Sequence, residues 1–129
     1  MPNFKIIQPE EIYSTPSYVH AIRAGNTLYV AGQVAKDKHG VLVSPNDAVG
    51  QAHQVFRNLA TVLVAAGASF GNVVKITTYM VDRADAEAIR TIRYEYFGDH
   101  RPPHTGLFVN GFGDPAMKLE VEVIAVLDE

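Results

Sequence analysis

Apolar residues recur along this chain with two different periods, and each period predicts one kind of element. Over residues 45–66 they return at steps of three and four, which is typical of an amphipathic helix. Ser44 is suited to cap that helix, and Gly67 is suited to end it. A second helix is predicted over residues 83–97, with Asp82 as its cap.

The period changes to two over residues 73–81, which predicts a strand. One face of this strand is expected to hold Val74, Ile76, Thr78 and Met80. Further strands are predicted from β-branched and aromatic runs bounded by turn residues, namely residues 3–7, 18–24, 27–31, 104–109 and 117–127.

The resulting order, β-ββ-α-β-α-β-β, predicts a single α+β domain over residues 1–129, with one sheet and both helices on one face. In the last strand, alternate residues from Met117 to Ala125 are apolar and form one face. The opposite face also becomes apolar, at Ile124 and Val126. Because two helices cover one face of the sheet only, we expect self-association through the other face.

Composition narrows the class of protein. The 129 residues carry a formal net charge of −3 with dispersed basic residues, which argues against a nucleic-acid-binding surface. The absence of Cys excludes disulfides, thiolate zinc sites and a thiol nucleophile. Charged residues make up 19%, below the usual value of about 25%, and two explanations fit equally well: a covered subunit surface or compositional scatter.

The chain has no apolar run long enough to span a membrane. Residues 1–10 also lack the basic segment and apolar stretch of a secretory signal. We therefore expect a soluble, cytoplasmic protein.

Glu120 and Glu122 lie on one face of the last predicted strand. Paired carboxylates are suited to acid–base catalysis, and burial in a subunit interface raises the pKa of a carboxyl group. A solvated strand face is the alternative, and the pattern alone favours it. Gly32, at the end of another predicted strand, is either a turn glycine or a close backbone N–H donor to a substrate carboxylate.

His104 follows two prolines at the start of a predicted strand, where an imidazole can shuttle protons or contact an anion. His100 lies four residues earlier, but the prolines prevent the helix that would present both rings to one metal ion. No metal site is therefore expected. The chain also lacks a P-loop, a G-x-S-x-G motif and a complete dinucleotide-binding fingerprint.

A set of motifs spread in order over the chain resembles the RidA/YjgF family of small imine and enamine deaminases. The motifs include Pro16-Ser-Tyr-Val19, Val30-Ala-Gly-Gln33, Val74-Lys-Ile-Thr-Thr-Tyr-Met-Val-Asp82, Pro102-Pro-His-Thr105 and Leu119-Glu-Val-Glu-Val-Ile-Ala125. The resemblance implies a chorismate-mutase-like α+β fold. It also implies a homotrimer with a central β-barrel, helices outside and three clefts between subunits.

The resemblance further implies an activity and a set of site residues. Family members with the full site hydrolyse 2-imino acids, or their enamine tautomers, to 2-keto acids and ammonia without a cofactor. Glu120 would position and partly deprotonate the attacking water, and Gly32 would offer a backbone N–H to the substrate carboxylate. Tyr18 would line the cleft, and the carbonyl of Gly106 would contact the imine nitrogen or the water.

The chain departs from the family at the position that binds the substrate carboxylate. Deaminase subgroups carry Arg in a Pro-x-Arg-Ser/Thr motif, where this chain has His104. A neutral imidazole lacks the charge and the bidentate donor geometry of a guanidinium. Thr91 also stands where the family often has Asn. Arg93 or Arg101 is available nearby as a substitute cation.

Two functions fit these observations. The first is a cofactor-free hydrolase of small imines or enamines, in which His104 either recognises a different substrate or acts in its protonated form. The second is a non-catalytic trimer that binds a small metabolite or regulates a partner protein. We favour the hydrolase because Glu120 and Tyr18 are both retained. The endoribonuclease label that the family also carries has no support in the charge pattern, so nucleic acid is not an expected partner.

Overall fold

The computed structural model describes residues 2–128 and contains six β-strands and two α-helices within that range. The strands are β1 (Phe4–Ile7), β2 (Ala21–Ala24), β3 (Thr27–Gln33), β4 (Val73–Met80), β5 (His104–Phe108) and β6 (Leu119–Val126). The helices are α1 (Ala48–Ala65) and α2 (Ala86–Phe97). The order of the elements confirms the predicted order.

The six strands form one mixed sheet in the order β1-β2-β3-β6-β4-β5. Neighbouring strands are antiparallel except β4 and β5, which run parallel and are connected through α2. Both helices pack against one face of this sheet, as predicted. The opposite face, called here the open face, exposes Tyr29, Leu107 and Val126.

One hydrophobic core fills the space between the sheet and the helices. α1 contributes a buried stripe that includes Val55, Leu59 and Leu63. β6 contributes its alternate residues, which are at most 2% exposed: Leu119, Val121, Val123 and Ala125. Burial of each such side chain contributes roughly 1–3 kcal/mol, so this alternation determines which face of β6 meets the helices. The residues between them, including Glu120, therefore lie on the open face.

The start of α1 differs from the prediction because a turn precedes the helix. Ser44 and Asn46 have positive φ angles of 48° and 63°, which no α-helix contains. Asp47 is the cap, since its carboxylate accepts the N–H of Val49 at 3.1 Å. The prediction that Ser44 caps a helix beginning at residue 45 was therefore wrong.

Within residues 2–128, neither helix has the length and apolar character needed to cross a bilayer.

Smaller corrections concern the ends of other elements. Residues 83–85 form a 3-10 turn capped by Asp82, so α2 starts later than predicted. β4 has a register shift between Val73 and Lys75, which buries Val73 and leaves Val74 44% exposed. The prediction that Val74 shares a face with Ile76, Thr78 and Met80 was therefore wrong. Three strand ends differ from the prediction by two residues or more: β2 begins at Ala21, β3 continues to Gln33, and β6 begins at Leu119.

Candidate active site

A bulge in β3 brings the backbone of Gly32 against the carboxylate of Glu120. The register between β3 and β6 shifts after Val30, so that two residues of β3 oppose Glu122 alone. A Cβ atom at Gly32 would lie 2.5 Å from Oε2 of Glu120, closer than such atoms approach in folded proteins. The position of the carboxylate therefore requires glycine, and Gly32 is more than a turn residue.

Glu120 is half-buried on the open face, two residues from Glu122 on the same face of β6. Burial disfavours the charged form, and the negative charge of Glu122 adds to that effect, so the pKa of Glu120 is raised above its ordinary value. Glu122 is held in place by the hydroxyl of Tyr79, which donates to it at 2.6 Å. A carboxylate with a raised pKa is better matched to accept a proton from water near neutral pH.

An aromatic network ties the loop before β2 to the end of β3. His20 is fully buried, and its Nδ1 accepts a hydrogen bond from the side-chain amide of Gln33 at 3.0 Å. Its Nε2 therefore donates, to the carbonyl of Tyr13 at 2.5 Å. The ring of Tyr18 lies edge-to-face with His20 at 6.4 Å and is 44% exposed. The network thus holds two tyrosines beside the bulge of β3.

Tyr13 is a site residue that the sequence analysis missed. Its ring is buried, and its hydroxyl has no hydrogen-bond partner within residues 2–128. Burial raises the pKa of Tyr13, and the nearby Tyr18 and Glu120 add to the increase. In the sequence Tyr13 directly follows Ile12 and has the pattern of an ordinary core residue, so no motif identified it as part of a site. We call Tyr13, Tyr18, Gly32 and Glu120 the acid cluster.

A second group of polar residues lies at the β5 edge of the sheet, under α2. Nε2 of His104 accepts a hydrogen bond from Nη1 of Arg93 at 2.9 Å, and the hydroxyl oxygen of Thr78 lies 3.0 Å from the same nitrogen. Gly106 lies beside this imidazole, since a Cβ atom there would be 3.2 Å from Cε1 of His104. We call Thr78, Arg93, His104 and Gly106 the imidazole cluster.

The donors around His104 determine its protonation state. A guanidinium can only donate, so Nε2 is the unprotonated nitrogen and Nδ1 carries the proton. Burial lowers the pKa of His104 to about 4, and the positive charges of Arg93 and Lys75 act in the same direction. His104 is therefore neutral near pH 7, and the positive charge of this cluster resides on Arg93.

The imidazole cluster borders a cavity of about 230 Å³ between α2 and β5. Its apolar walls include Met80, Ile89 and Phe108. Two arginines, Arg90 and Arg93, also line it and make it electropositive. The cavity is therefore suited to a small molecule that combines a negative group with apolar carbon.

The acid cluster and the imidazole cluster face opposite sides of the sheet. Glu120 is in register with Tyr79, and Tyr79 with Leu107, in a row that belongs to the open face. His104 is in register with Ile76, which is buried beneath the helices. Because alternate residues of a strand face opposite sides, one chain does not bring Glu120 and His104 into one cavity.

Two further residues from the sequence analysis lie outside both clusters. Thr91 is on the outer side of α2, where its hydroxyl donates to the carbonyl of Glu87 at 3.0 Å and its side chain lines a groove between the helices. The guanidinium of Arg101 lies over the ring of Tyr94, 3.9 Å from its centre. Of the two arginines considered as substitute cations, Arg93 is the one that donates to His104.

Together the two clusters contain the groups that the addition of water to a small anionic electrophile requires. The acid cluster offers a proton acceptor, and the imidazole cluster offers a cation. Within residues 2–128, no group of three or more side chains is arranged to hold a metal ion.

A mixed six-stranded sheet with two helices on one face defines the chorismate-mutase-like class of small α+β proteins. This chain belongs to the family described as Endoribonuclease L-PSP, which matches residues 8–127.

Similar proteins of this family carry two kinds of name. A RutC family protein of Pyrococcus horikoshii is 34% identical over 108 residues, covering 84% of this chain and 85% of that protein. A 2-iminobutanoate/2-iminopropanoate deaminase of Mus musculus is 33% identical over 109 residues, covering 84% of this chain and 80% of that protein. Imine deaminases are therefore among the relatives of this chain.

Solved structures of Rid proteins have the same fold. The E. coli protein TdcF, crystallised with bound serine, superposes with a TM-score of 0.87 at 27% identity, over 96% of this chain and 99% of that chain. RidA from an Antarctic Psychrobacter species superposes with a TM-score of 0.89 at 26% identity, over 95% of this chain and 99% of that chain. These matches confirm the fold class predicted from the sequence.

Proposed function

We propose that this protein is a cofactor-free hydrolase of small imines and their enamine tautomers, which it converts to carbonyl compounds and ammonia. The observation that carries the proposal is the half-buried carboxylate of Glu120, which lies against Gly32 with a raised pKa. The deaminase names of relatives at about one-third identity support the same reaction.

Glu120 is the general base in this reaction. The oxygen of a water molecule forms a bond to the imine carbon while Glu120 accepts one proton of that water. The substrate reacts as its protonated imine, whose nitrogen takes up the C=N electron pair and becomes a neutral amine on a tetrahedral carbon. Glu120 then returns its proton to that amine. As the C–N bond breaks, the hydroxyl gives its proton to the Glu120 carboxylate and becomes a carbonyl, and the departing ammonia carries this proton away as ammonium. One water is consumed for each ammonia released, and a positioned carboxylate typically contributes about 10²- to 10⁴-fold to such a step.

The proposal includes assembly as a homotrimer, with the acid cluster of one subunit facing the imidazole cluster of the next. Within one chain these clusters lie on opposite sides of the sheet, so a complete site needs a second copy. The open face also exposes Tyr29, Leu107 and Val126, which a neighbouring subunit would bury. We do not propose RNA as a substrate, because Glu120 and Glu122 would repel its phosphates.

The test is a coupled assay in which an amino-acid oxidase generates 2-imino acids in the presence of this protein. We expect faster release of the keto acid with the wild type and a loss of at least about a hundredfold in kcat/KM for Glu120→Gln. This variant keeps the shape of the side chain and removes its basicity. Light scattering should give a mass of three times 14.1 kDa for both proteins.

A non-catalytic trimer that binds small metabolites is the second candidate. The neutral imidazole at position 104 favours it, because a weaker hold on a substrate carboxylate lowers turnover. A wild type that binds keto acids but accelerates no imine hydrolysis would establish this alternative and refute the hydrolase.

A further inference from the structure

Arg93 carries a positive charge that no carboxylate within residues 2–128 neutralises through an ion pair. Its side chain is half-buried, and burial lowers the pKa of Arg93, although an arginine remains charged at neutral pH. Within residues 2–128 a single ion pair occurs, between Lys118 and Asp85 at 3.6 Å. Buried or half-buried charges are usually paired, so an arginine without an acidic partner beside a cavity is unusual for a structural residue.

The neighbours of Arg93 orient its guanidinium without neutralising it. Nη1 of Arg93 donates one N–H to Nε2 of His104 at 2.9 Å, and the hydroxyl oxygen of Thr78 lies 3.0 Å from the same nitrogen. The imidazole is therefore fixed from two sides and acts as an acceptor. A guanidinium has five N–H donors, so the bond to His104 leaves others for an anion. The cavity that Arg93 lines has a second cation, Arg90, and no acidic side chain among its lining residues.

We propose that Arg93 binds the carboxylate of the substrate and that His104 positions the guanidinium for this contact. This inference rests on the proposed function and assigns the residues that would hold the negative group of a 2-imino acid, which would lie in the imidazole cluster. In this arrangement His104 does not replace the arginine that deaminase subgroups carry at its position. It is a neutral acceptor that holds a charged residue supplied by α2.

The role of His104 explains why an imidazole suits this position. A second guanidinium at residue 104 would stand within hydrogen-bond distance of Arg93, and the two like charges would repel each other. A neutral ring with an unprotonated Nε2 removes that repulsion and accepts an N–H instead. The low pKa of His104, about 4, agrees with a ring that stays neutral beside a cation.

The experiment compares a charged ligand with a neutral one. Isothermal titration of the assembled protein uses 2-oxobutanoate and its neutral analogue 2-oxobutanamide. We expect Arg93→Gln to weaken the binding of 2-oxobutanoate on the order of ten- to a hundredfold. The affinity for 2-oxobutanamide should stay within about twofold of the wild-type value, because only the carboxylate interacts with the charge of Arg93. Arg93→Lys should retain part of the affinity, since it keeps the charge without the planar fork.

Two further variants separate positioning from charge. His104→Gln offers a carbonyl to Arg93 and should lose less affinity for 2-oxobutanoate than His104→Ala, which offers no acceptor. Arg57→Gln removes an exposed arginine of α1 that donates to Gln54. It should change the affinity for neither ligand. Circular dichroism and light scattering of each variant confirm that its fold and assembly are those of the wild type.

The inference is overturned if the wild type does not prefer 2-oxobutanoate to 2-oxobutanamide, or if Arg93→Gln weakens both ligands equally. It is also overturned if both Arg93→Gln and Arg93→Lys bind 2-oxobutanoate like the wild type. Failure of the hydrolase proposal has a different signature. In that case 2-oxobutanoate binding depends on Arg93, while neither the wild type nor Glu120→Gln accelerates imine hydrolysis.

Discussion

At the scale of single residues, the two carboxylates of β6 differ because their surroundings differ. Glu122 accepts the hydroxyl of Tyr79 at 2.6 Å, so its charge has a fixed place on the open face. Glu120 is half-buried against the backbone of Gly32, and the negative charge of Glu122 helps to raise its pKa. The protonation of Glu120 is therefore controlled by burial first and by Glu122 second.

This control can be measured through the pH dependence of the reaction. The active form of Glu120 is the carboxylate, so kcat/KM should rise as the pH passes through its pKa. Glu122→Gln removes a negative charge while its carbonyl still accepts the Tyr79 hydroxyl. The pKa of Glu120 should fall, and the acidic limb of the profile should move to lower pH. Glu95→Gln, an exposed change on α2, should leave the limb in place. If the acidic limb of the pH profile does not move in Glu122→Gln, the charge of Glu122 does not control the pKa of Glu120.

At the scale of elements, the bulge in β3 decides where the carboxylate of Glu120 can lie. A regular ladder would place one residue of β3 opposite each residue of β6, and the bulge instead places two opposite Glu122. The patterns of apolar residues predicted both strands, but a bulge is a property of a pair of strands. Neither strand's own sequence contains the register, which explains why the predicted β3 ended at residue 31 rather than at Gln33.

A substitution in the bulge tests this account. In Gly32→Ala the new Cβ would be 2.5 Å from Oε2 of Glu120, so the carboxylate must move. A displacement of about 1 Å at a catalytic group can cost on the order of a hundredfold in kcat/KM. The matched control is Gly111→Ala, because no atom lies within 4 Å of the Cβ built at that glycine. Equal activities of the two variants would show that the contact at Gly32 is unimportant.

At the scale of the whole molecule, the open face connects the apolar pattern to the proposed site. The face carries exposed apolar side chains, and it also carries Glu120, whose pKa is raised by burial and by the charge of Glu122. A neighbouring subunit on this face would bury both together. Removal of Glu120 from water would raise its pKa further, so the proposed assembly and the proposed catalysis would depend on the same surface.

Two matched lysine substitutions test the use of this face. Tyr29 is 52% exposed on the open face, and Val64 is 71% exposed on α1. Tyr29→Lys places a charge in the proposed interface and should shift the protein from trimer towards monomer in light scattering, with loss of imine hydrolysis. Val64→Lys should leave the mass and the activity unchanged, because α1 lies on the outside of the proposed trimer. A trimeric, active Tyr29→Lys variant would argue against the open face as the interface.

The amino-acid sequence by itself determined the order of the elements, the amphipathic helices and the face of β6 that carries Glu120. These properties depend on periods of two and 3.6 residues, which are local. The departure at His104 was also visible, because it needs only the identity of one residue.

The tertiary structure alone decided which residues meet. It placed Tyr13 against the ring of His20, put Thr91 on the outer side of α2, and joined Arg93 rather than Arg101 to His104. These contacts join segments that are distant along the chain or that face different sides of one helix, and strand pairing and packing create them. The separation of Glu120 from His104 has the same origin, since it depends on how β6, β4 and β5 pair in the sheet, which no single strand encodes.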